Sequence, residues 1–277
     1  NPVNFLLSKL CESAKHWNSF VSHCIINNAD WNGGSNFVSQ VKKGASALAP
    51  QPQKPPRSPV TLDHLNALIT FLDPNDPRDK AIKAAALCAF WGCCRLGELL
   101  PLSNSSFDPA INVTRGTSIE FAPSTVLRGS ECVTLRIPWT KTSRDLGADL
   151  TICRPPSLSP AAALKAHLEC TLEAPPHLLL FSYRSSDGTF IPLTKSDFLG
   201  RCTAIWSHLR LQLVNGHSFR IGGATELLLG GIPPLIVAAI GRWKSLAFCR
   251  ERESPHIISH HFRSLLIIIF PFLLSVS

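Results

Sequence analysis

Apolar residues recur with helical or strand periodicity over most of this chain. Leu6, Leu7, Leu10, Trp17, Phe20 and Val21 follow a loose helical spacing, and with the break at Asn32-Gly33-Gly34 they predict a partial helical domain over residues 1–43. From 44 to 60 the pattern stops. Ala49-Pro50-Gln51-Pro52-Gln53-Lys54-Pro55-Pro56-Arg57-Ser58-Pro59 is basic and proline-rich, and its prolines disfavour helix, so it reads as an extended linker. Thr61 then caps a helix carrying Leu62, Leu65, Leu68, Ile69 and Leu72. Asp76-Pro77, an N-cap before a first-turn proline, opens a second helix that stays apolar through Trp91 and is central to the predicted core. Between Ser118 and Ile152 the period drops to two. Val133, Leu135 and Ile137 alternate with polar neighbours, as do Leu150 and Ile152, predicting a small antiparallel sheet with a turn from Thr142 to Gly147. Ser159-Pro160 starts another helix, Ser182 to Gly188 reads as a loop, and Ser196 onward is helical. Helices over Ser218–Leu229 and Pro234–Ile240 follow. The expected fold class is mainly α with a small antiparallel β-sheet (α+β).

Composition narrows this picture. With 45% hydrophobic and 17% charged residues over 277 positions, the chain has enough apolar surface for a real core, which excludes a disordered polymer. A formal net charge of +8 favours polyanionic partners. The 10 cysteines form no C-x-x-C pair, and several lie in apolar runs such as Ala84–Phe90, so reduced buried thiols in an intracellular protein are expected rather than a disulfide framework or a zinc site. Starting at Asn1 and holding no methionine, the chain is expected to be a fragment or to lack its true start. Leu265 to Leu274 is apolar, but it is interrupted by Pro271 and falls short of the roughly 20 residues a spanning helix needs, so no membrane anchor is expected. His256, His260 and His261 cluster without a carboxylate or cysteine at ligand spacing, so no metal is expected.

Four pieces carry candidate chemistry. In Cys94-Arg95-Leu96-Gly97-Glu98-Leu99 the arginine and glutamate stand three apart, which on one helix would put them on one face and let Glu98 orient Arg95. Trp139-Thr140-Lys141-Thr142 places a lysine at the tip of the sheet. In Gly216-His217-Ser218-Phe219-Arg220 the His217 and Arg220 side chains lie three apart at a helix start, where both could face one anion and free N–H groups favour it further. Gly222, Gly223 and Ala224 permit close packing beneath. Ile240-Gly241-Arg242-Trp243-Lys244 follows with a glycine turn and a basic, aromatic cluster.

Taken in order, these pieces resemble the catalytic domain of tyrosine recombinases and integrases, over roughly Thr61 to Trp243. Phe90-Trp91-Gly92, Leu180-Phe181-Ser182-Tyr183-Arg184 and Gly222-Gly223-Ala224-Thr225-Glu226 further resemble the recombinase-like mobile-element proteins multiplied in mushroom-forming fungi. The resemblance implies a catalytic domain over 61–252, the 44–60 linker and partial core-binding-like domain before it, and a degenerate apolar tail over 253–277. It implies DNA strand cleavage and rejoining (DNA recombination, DNA integration) by transesterification, with no cofactor and no metal. Double-stranded DNA would be the partner, a tetramer on paired sites the assembly, and the nucleus the location. Arg95 and Arg220 would hold the non-bridging phosphate oxygens, as planar guanidinium groups suit. Lys141 would protonate the leaving oxygen, His217 would assist the nucleophile, Trp243 would hydrogen-bond the phosphate, and Glu98 would support them.

One element of the pattern is missing. The family's nucleophilic tyrosine follows the Gly-x-Trp element by eight or nine residues, and those positions are Glu251 and Arg252 here. The single tyrosine, Tyr183, lies upstream in a different phrase. The chain is therefore expected to be inactive in cleavage as written, the alternatives being a DNA-binding remnant of a mobile element and an enzyme like the type IB topoisomerases.

Overall fold

The computed structural model describes residues 58–124, 130–141, 143–154 and 158–243. The expected leading helical piece, most of the linker, the apolar tail, the three clustered histidines and positions 251 and 252 lie outside them. Within them stand seven α-helices and two small antiparallel sheets, so the mainly α class with a small sheet holds.

Local sequence explains the element boundaries. Helix α1 (Leu62–Phe71) is capped by Thr61, whose side chain accepts from the His64 amide while the His64 ring bonds back to the Thr61 amide. Helix α2 (Pro77–Trp91) begins at Asp76, which accepts from the Arg78 amide, with proline at the first position. Almost every residue of α2 from Ala81 to Trp91 is buried, and it packs against the later helices and the sheet. Its alanines keep the helix slim enough for that. It ends at Gly92: the Cys93 amide donates to Phe90 O and the Cys94 amide to Ala89 O, with Cys93 in the left-handed region at φ 45°. This is a Schellman closure, normally built on glycine, carried by a cysteine. The four-residue helix α3 (Leu96–Leu99) follows with Arg95 as its N-cap. Arg95 and Glu98 therefore do not share a helix face as the spacing suggested. They meet across a helix start, because the left-handed turn at Cys93 has ended α2.

Strands β1 (Ile119–Pro123), β2 (Glu131–Ile137) and β3 (Ala148–Arg154) form an antiparallel sheet in that order. Val133, Leu135, Ile137, Leu150 and Ile152 face the core, while Thr134 bonds Thr151 and Arg136 pairs with Asp149 on the other face. The β2–β3 register sets Cys132 directly opposite Cys153, and the two are joined as a disulfide across the strands. This corrects the expectation of reduced thiols at these two positions; Cys88, Cys94 and Cys202 are buried thiols outside it. Helix α4 (Pro160–Glu169) is capped by Ser159. The segment read as a loop from Ser182 instead begins with a strand, β4 (Ser182–Arg184), paired to β5 (Phe190–Pro192) around Gly188 at φ 86°. Helices α5 (Lys195–His208), α6 (Gly216–Leu229) and α7 (Pro234–Gly241) complete the fold.

Helix α6 lies hard against α2. A Cβ on Gly222 would strike the Val60 carbonyl oxygen, and one on Gly223 would strike the Phe90 carbonyl oxygen. The small residues set how closely α6 approaches, and so where Arg220, one turn earlier, can reach. A separate small apolar cluster of Cys93, Ala224, Leu227, Val237 and Ala238, with Trp243 packed on it, fixes α7 against α6 and the end of α2.

Candidate anion-binding site

Three arginines and one glutamate meet where α2, α3, α6 and α7 come together. The ends of α2 and α7 build the site in the same way. Helix α7 closes with the Arg242 amide donating to Ala239 O and the Trp243 amide to Ala238 O, with Arg242 left-handed at φ 57°. A non-glycine residue there costs roughly 1 kcal/mol, and such strain collects at functional sites. The turn sends the Arg242 side chain back over the helix end and folds the Trp243 ring over Gly241.

Arg220 is 1% exposed, which for an arginine demands strong compensation. Its Nη1 donates to Cys93 O at 2.5 Å and its Nη2 to Gly241 O at 2.6 Å. Both acceptors sit at helix C-terminal ends, where the dipole is negative, so the cation joins α2 to α7. The Trp243 ring covers the guanidinium at 4.1 Å, a cation–π contact. Burial and the nearby Arg95 charge push the Arg220 pKa down to about 10, with Glu98 opposing and Arg242 adding to the fall; it remains charged at neutral pH.

Glu98 is the hub. Its Oε2 accepts from the Arg95 amide at 3.0 Å and from Arg242 Nη2 at 2.7 Å, and its Oε1 accepts from Arg95 Nη1 at 2.9 Å. The Glu98 side chain is 3% exposed, Arg242 10% and Arg95 30%, so Arg95 is the guanidinium that reaches solvent. Arg242 Nη1 also donates to Ile240 O at 3.0 Å and reaches Gly92 O at 3.5 Å. Burial works against the Arg242 charge, but Cys94 and Glu98 beside it more than offset this and raise its pKa. Burial pushes the neighbouring Cys94 thiol up to about 11, so it stays protonated and is no nucleophile at neutral pH. Three positive charges against one negative leave the cluster with a surplus suited to an anion.

The structure therefore brings Arg95, Glu98, Arg220 and Trp243 together and adds Arg242, which the sequence reading passed over as part of a basic turn. Its signal was faint: an arginine between a helix-ending glycine and a tryptophan, where only the left-handed turn gives it a direction. His217 stands exposed in the first turn of α6, its amide bonded to Asn215 Oδ1, while Arg220 is buried. The two do not present one shared exposed face. Lys141 is exposed at the β2–β3 turn, held there by buried Thr140, whose Oγ1 accepts from the Ser143 amide at 2.9 Å. Among the described residues Lys141 forms no ion pair. Tyr183 lies in β4, and burial raises its phenol pKa, with Arg78, Asp197 and Asp76 as its charged neighbours. A shallow depression on the outer sheet face is lined by Ser118, Glu120, Thr134, Arg136, Asp149 and Thr151; two carboxylates against one guanidinium make it a poor anion site. Among the described residues no group of three or more His, Cys, Asp or Glu is placed to hold a metal ion, and no helix is long and apolar enough to cross a membrane.

No family model matches the chain, and no curated protein matches it. Solved structures do. A lambda integrase dimer bound to a COC′ core site is similar with TM-score 0.47 and 14% identity, over 91% of this chain and 78% of that one. XerA recombinase is similar with TM-score 0.46 and 14% identity, over 92% and 80%. The Tn1549 transposon integrase in complex with transposon right end DNA is similar with TM-score 0.45 and 16% identity, over 75% of this chain and 64% of that one.

Proposed function

We propose that this chain is a tyrosine recombinase-like DNA-binding domain that grips a backbone phosphate of double-stranded DNA at the Arg95 cluster and, as written, holds DNA without cutting it. The observation that carries the reading is the convergence of Arg95 and Arg242 on a single carboxylate, Glu98, with the buried Arg220 guanidinium fixed beside them and within reach of the Arg95 and Glu98 charges. A phosphodiester oxygen approaching from solvent meets Arg95 first, since its side chain is the exposed one of the three. Arg220 and Arg242, fixed on helix-end carbonyls, supply charge from beneath without having to reorganise. Trp243 shields the Arg220 guanidinium from water, which strengthens its field at the phosphate. Lys141 and His217, on exposed turns, would add contacts along the duplex, and the +8 charge favours the encounter.

Cleavage needs a nucleophile beside this cluster. Glu251 and Arg252 stand where the resemblance expects tyrosine, and neither can form a phosphotyrosyl link. Tyr183 is a poor substitute: its phenol is harder to ionise than usual, and its charged neighbours are not those of the cluster. The reading extends to a nuclear mobile-element protein that assembles as a tetramer on paired sites, and each of these features awaits its own test.

The deciding experiment mixes the protein with nicked and intact duplexes and resolves the products on native and denaturing gels. The expected result is a complex that weakens steeply with salt and leaves no covalent protein–DNA adduct. A covalent adduct would make the chain an active recombinase. No complex even at about 50 mM salt, where phosphate contacts are strongest, would remove the DNA-binding reading altogether.

A further inference from the structure

We infer that Arg242 is a positioning residue for the anion site: by holding one face of Glu98 it keeps that carboxylate from cancelling Arg95, and so sets the charge the pocket offers. This deepens the reading of the cluster as a phosphate site and rests on it. Glu98 has two oxygens and two guanidinium partners. Arg242 takes Oε2 at 2.7 Å, and the Arg95 side chain takes Oε1 at 2.9 Å. Arg95 alone against Glu98 would be a neutral pair, leaving only buried Arg220 to attract an anion. With Arg242 in place the carboxylate is shared, and Arg95, Arg220 and Arg242 together exceed it by two charges. The Arg242 guanidinium is held by the Ile240 carbonyl and reaches the Gly92 carbonyl, so it cannot swing out to meet a ligand; at 10% exposure it acts through Glu98. The left-handed backbone at Arg242 supports the same view. Glycine is the comfortable residue there, and an arginine accepts the strain while directing its side chain at Glu98.

A purely structural role for Arg242, as a cap on two helix ends, makes a different forecast, and a charge cycle separates the two. Duplex affinity and its salt dependence are measured for the wild type, Arg242→Gln, Arg242→Lys, Glu98→Gln and the double Arg242→Gln/Glu98→Gln. Arg242→Gln should weaken binding roughly five- to tenfold and flatten the log–log salt slope by up to about one. Arg242→Lys should recover most of that loss. Glu98→Gln should tighten binding, and the double variant, again carrying two surplus charges, should return to near wild type. A double variant as weak as Arg242→Gln alone would overturn the inference, since a lost helix cap is not restored by removing a carboxylate. A second readout needs no DNA: the rate at which phenylglyoxal modifies Arg95, followed by peptide mass spectrometry. Arg242→Gln should slow it several-fold, because Glu98 then grips Arg95 alone, and Glu98→Gln should speed it. If these rates move as stated while duplex affinity does not, the DNA reading fails and the role of Arg242 stands. If neither moves, the role of Arg242 is refuted.

Discussion

Gly223→Ala against Gly200→Ala is a single methyl added to two helices with opposite expected signs. Gly200 lies inside α5, where a Cβ meets nothing within 4 Å, so alanine should gain the helix propensity that glycine lacks, about 0.5–1 kcal/mol. Gly223 lies inside α6, where a Cβ would overlap the Phe90 carbonyl oxygen and stand 2.8 Å from its carbon, tighter than the 3.4 Å at which ordinary contact begins. The obstacle is backbone at the end of α2, which cannot rotate away as a side chain tip can, so α6 and α2 must part. Overpacking of this kind costs roughly 1–3 kcal/mol, and an unyielding neighbour puts it at the upper end. After the propensity gain, Gly223→Ala should be destabilised by about 2 kcal/mol. With a urea m-value near 2 kcal/mol/M, its midpoint should fall by about 1 M while that of Gly200→Ala rises by a few tenths. Urea titration followed by circular dichroism reads both. Equal midpoints would refute the claim that α6 is seated directly on the α2 backbone, and with it the account of how Arg220 reaches Cys93 and Gly241.

Three further outcomes follow from groups away from the cluster. His167 is fully buried, its Nε2 on the Leu180 carbonyl at 2.9 Å, and burial drives its pKa down to about 4, with Arg115 and Lys80 adding to the fall. Between the ordinary 6.5 and about 4 the unfolded chain takes a proton that the native one refuses. Stability is thus full above pH 6.5 and should fall on acidification by on the order of 3 kcal/mol, a slope that His167→Gln should flatten in pH-dependent urea titrations. Asp79 binds Arg201 through both oxygens at 3.0 and 2.7 Å. Its burial raises the pKa, but the hydrogen bonds to Arg201 and the Asp73 amide outweigh this and lower it. Its contribution is present at neutral pH and lost as pH falls through the lowered value, and Asp79→Asn should cost about 2–3 kcal/mol at pH 7 in thermal melts. The Cys132–Cys153 bond closes a loop with a sequence separation of 21, so reduction or Cys132→Ser should cost about 3 kcal/mol, and a non-reducing peptide map should recover the two as one linked species.

The parts of the fold legible in the sequence were those fixed by neighbours a few residues apart. Thr61, Asp76 and Ser159 cap the helices their positions announced, and the alternation of Val133, Leu135 and Ile137 identifies a strand, because the physics there is local. The β4–β5 hairpin escaped because three-residue strands are too short to show a period of two. The disulfide escaped because it depends on the register between β2 and β3, which neither strand encodes alone. At the site, Arg95, Glu98, Arg220 and Trp243 were legible as motif residues, but their arrangement was not. Arg95 and Glu98 meet across a helix start created by a left-handed cysteine, and Arg242 takes part only because of a second such turn. Both turns use residues that give no glycine-like warning.

Arginine footprinting with a bound duplex tests the central claim most directly. Phenylglyoxal labelling is compared with and without saturating double-stranded DNA at low salt, reading Arg95 against Arg136 and Arg184, whose side chains are 45% and 49% exposed on other surfaces. The cluster reading requires Arg95 to become protected while Arg136 and Arg184 stay reactive. Protection of Arg136 or Arg184 with Arg95 still open to label would place the DNA elsewhere and contradict it.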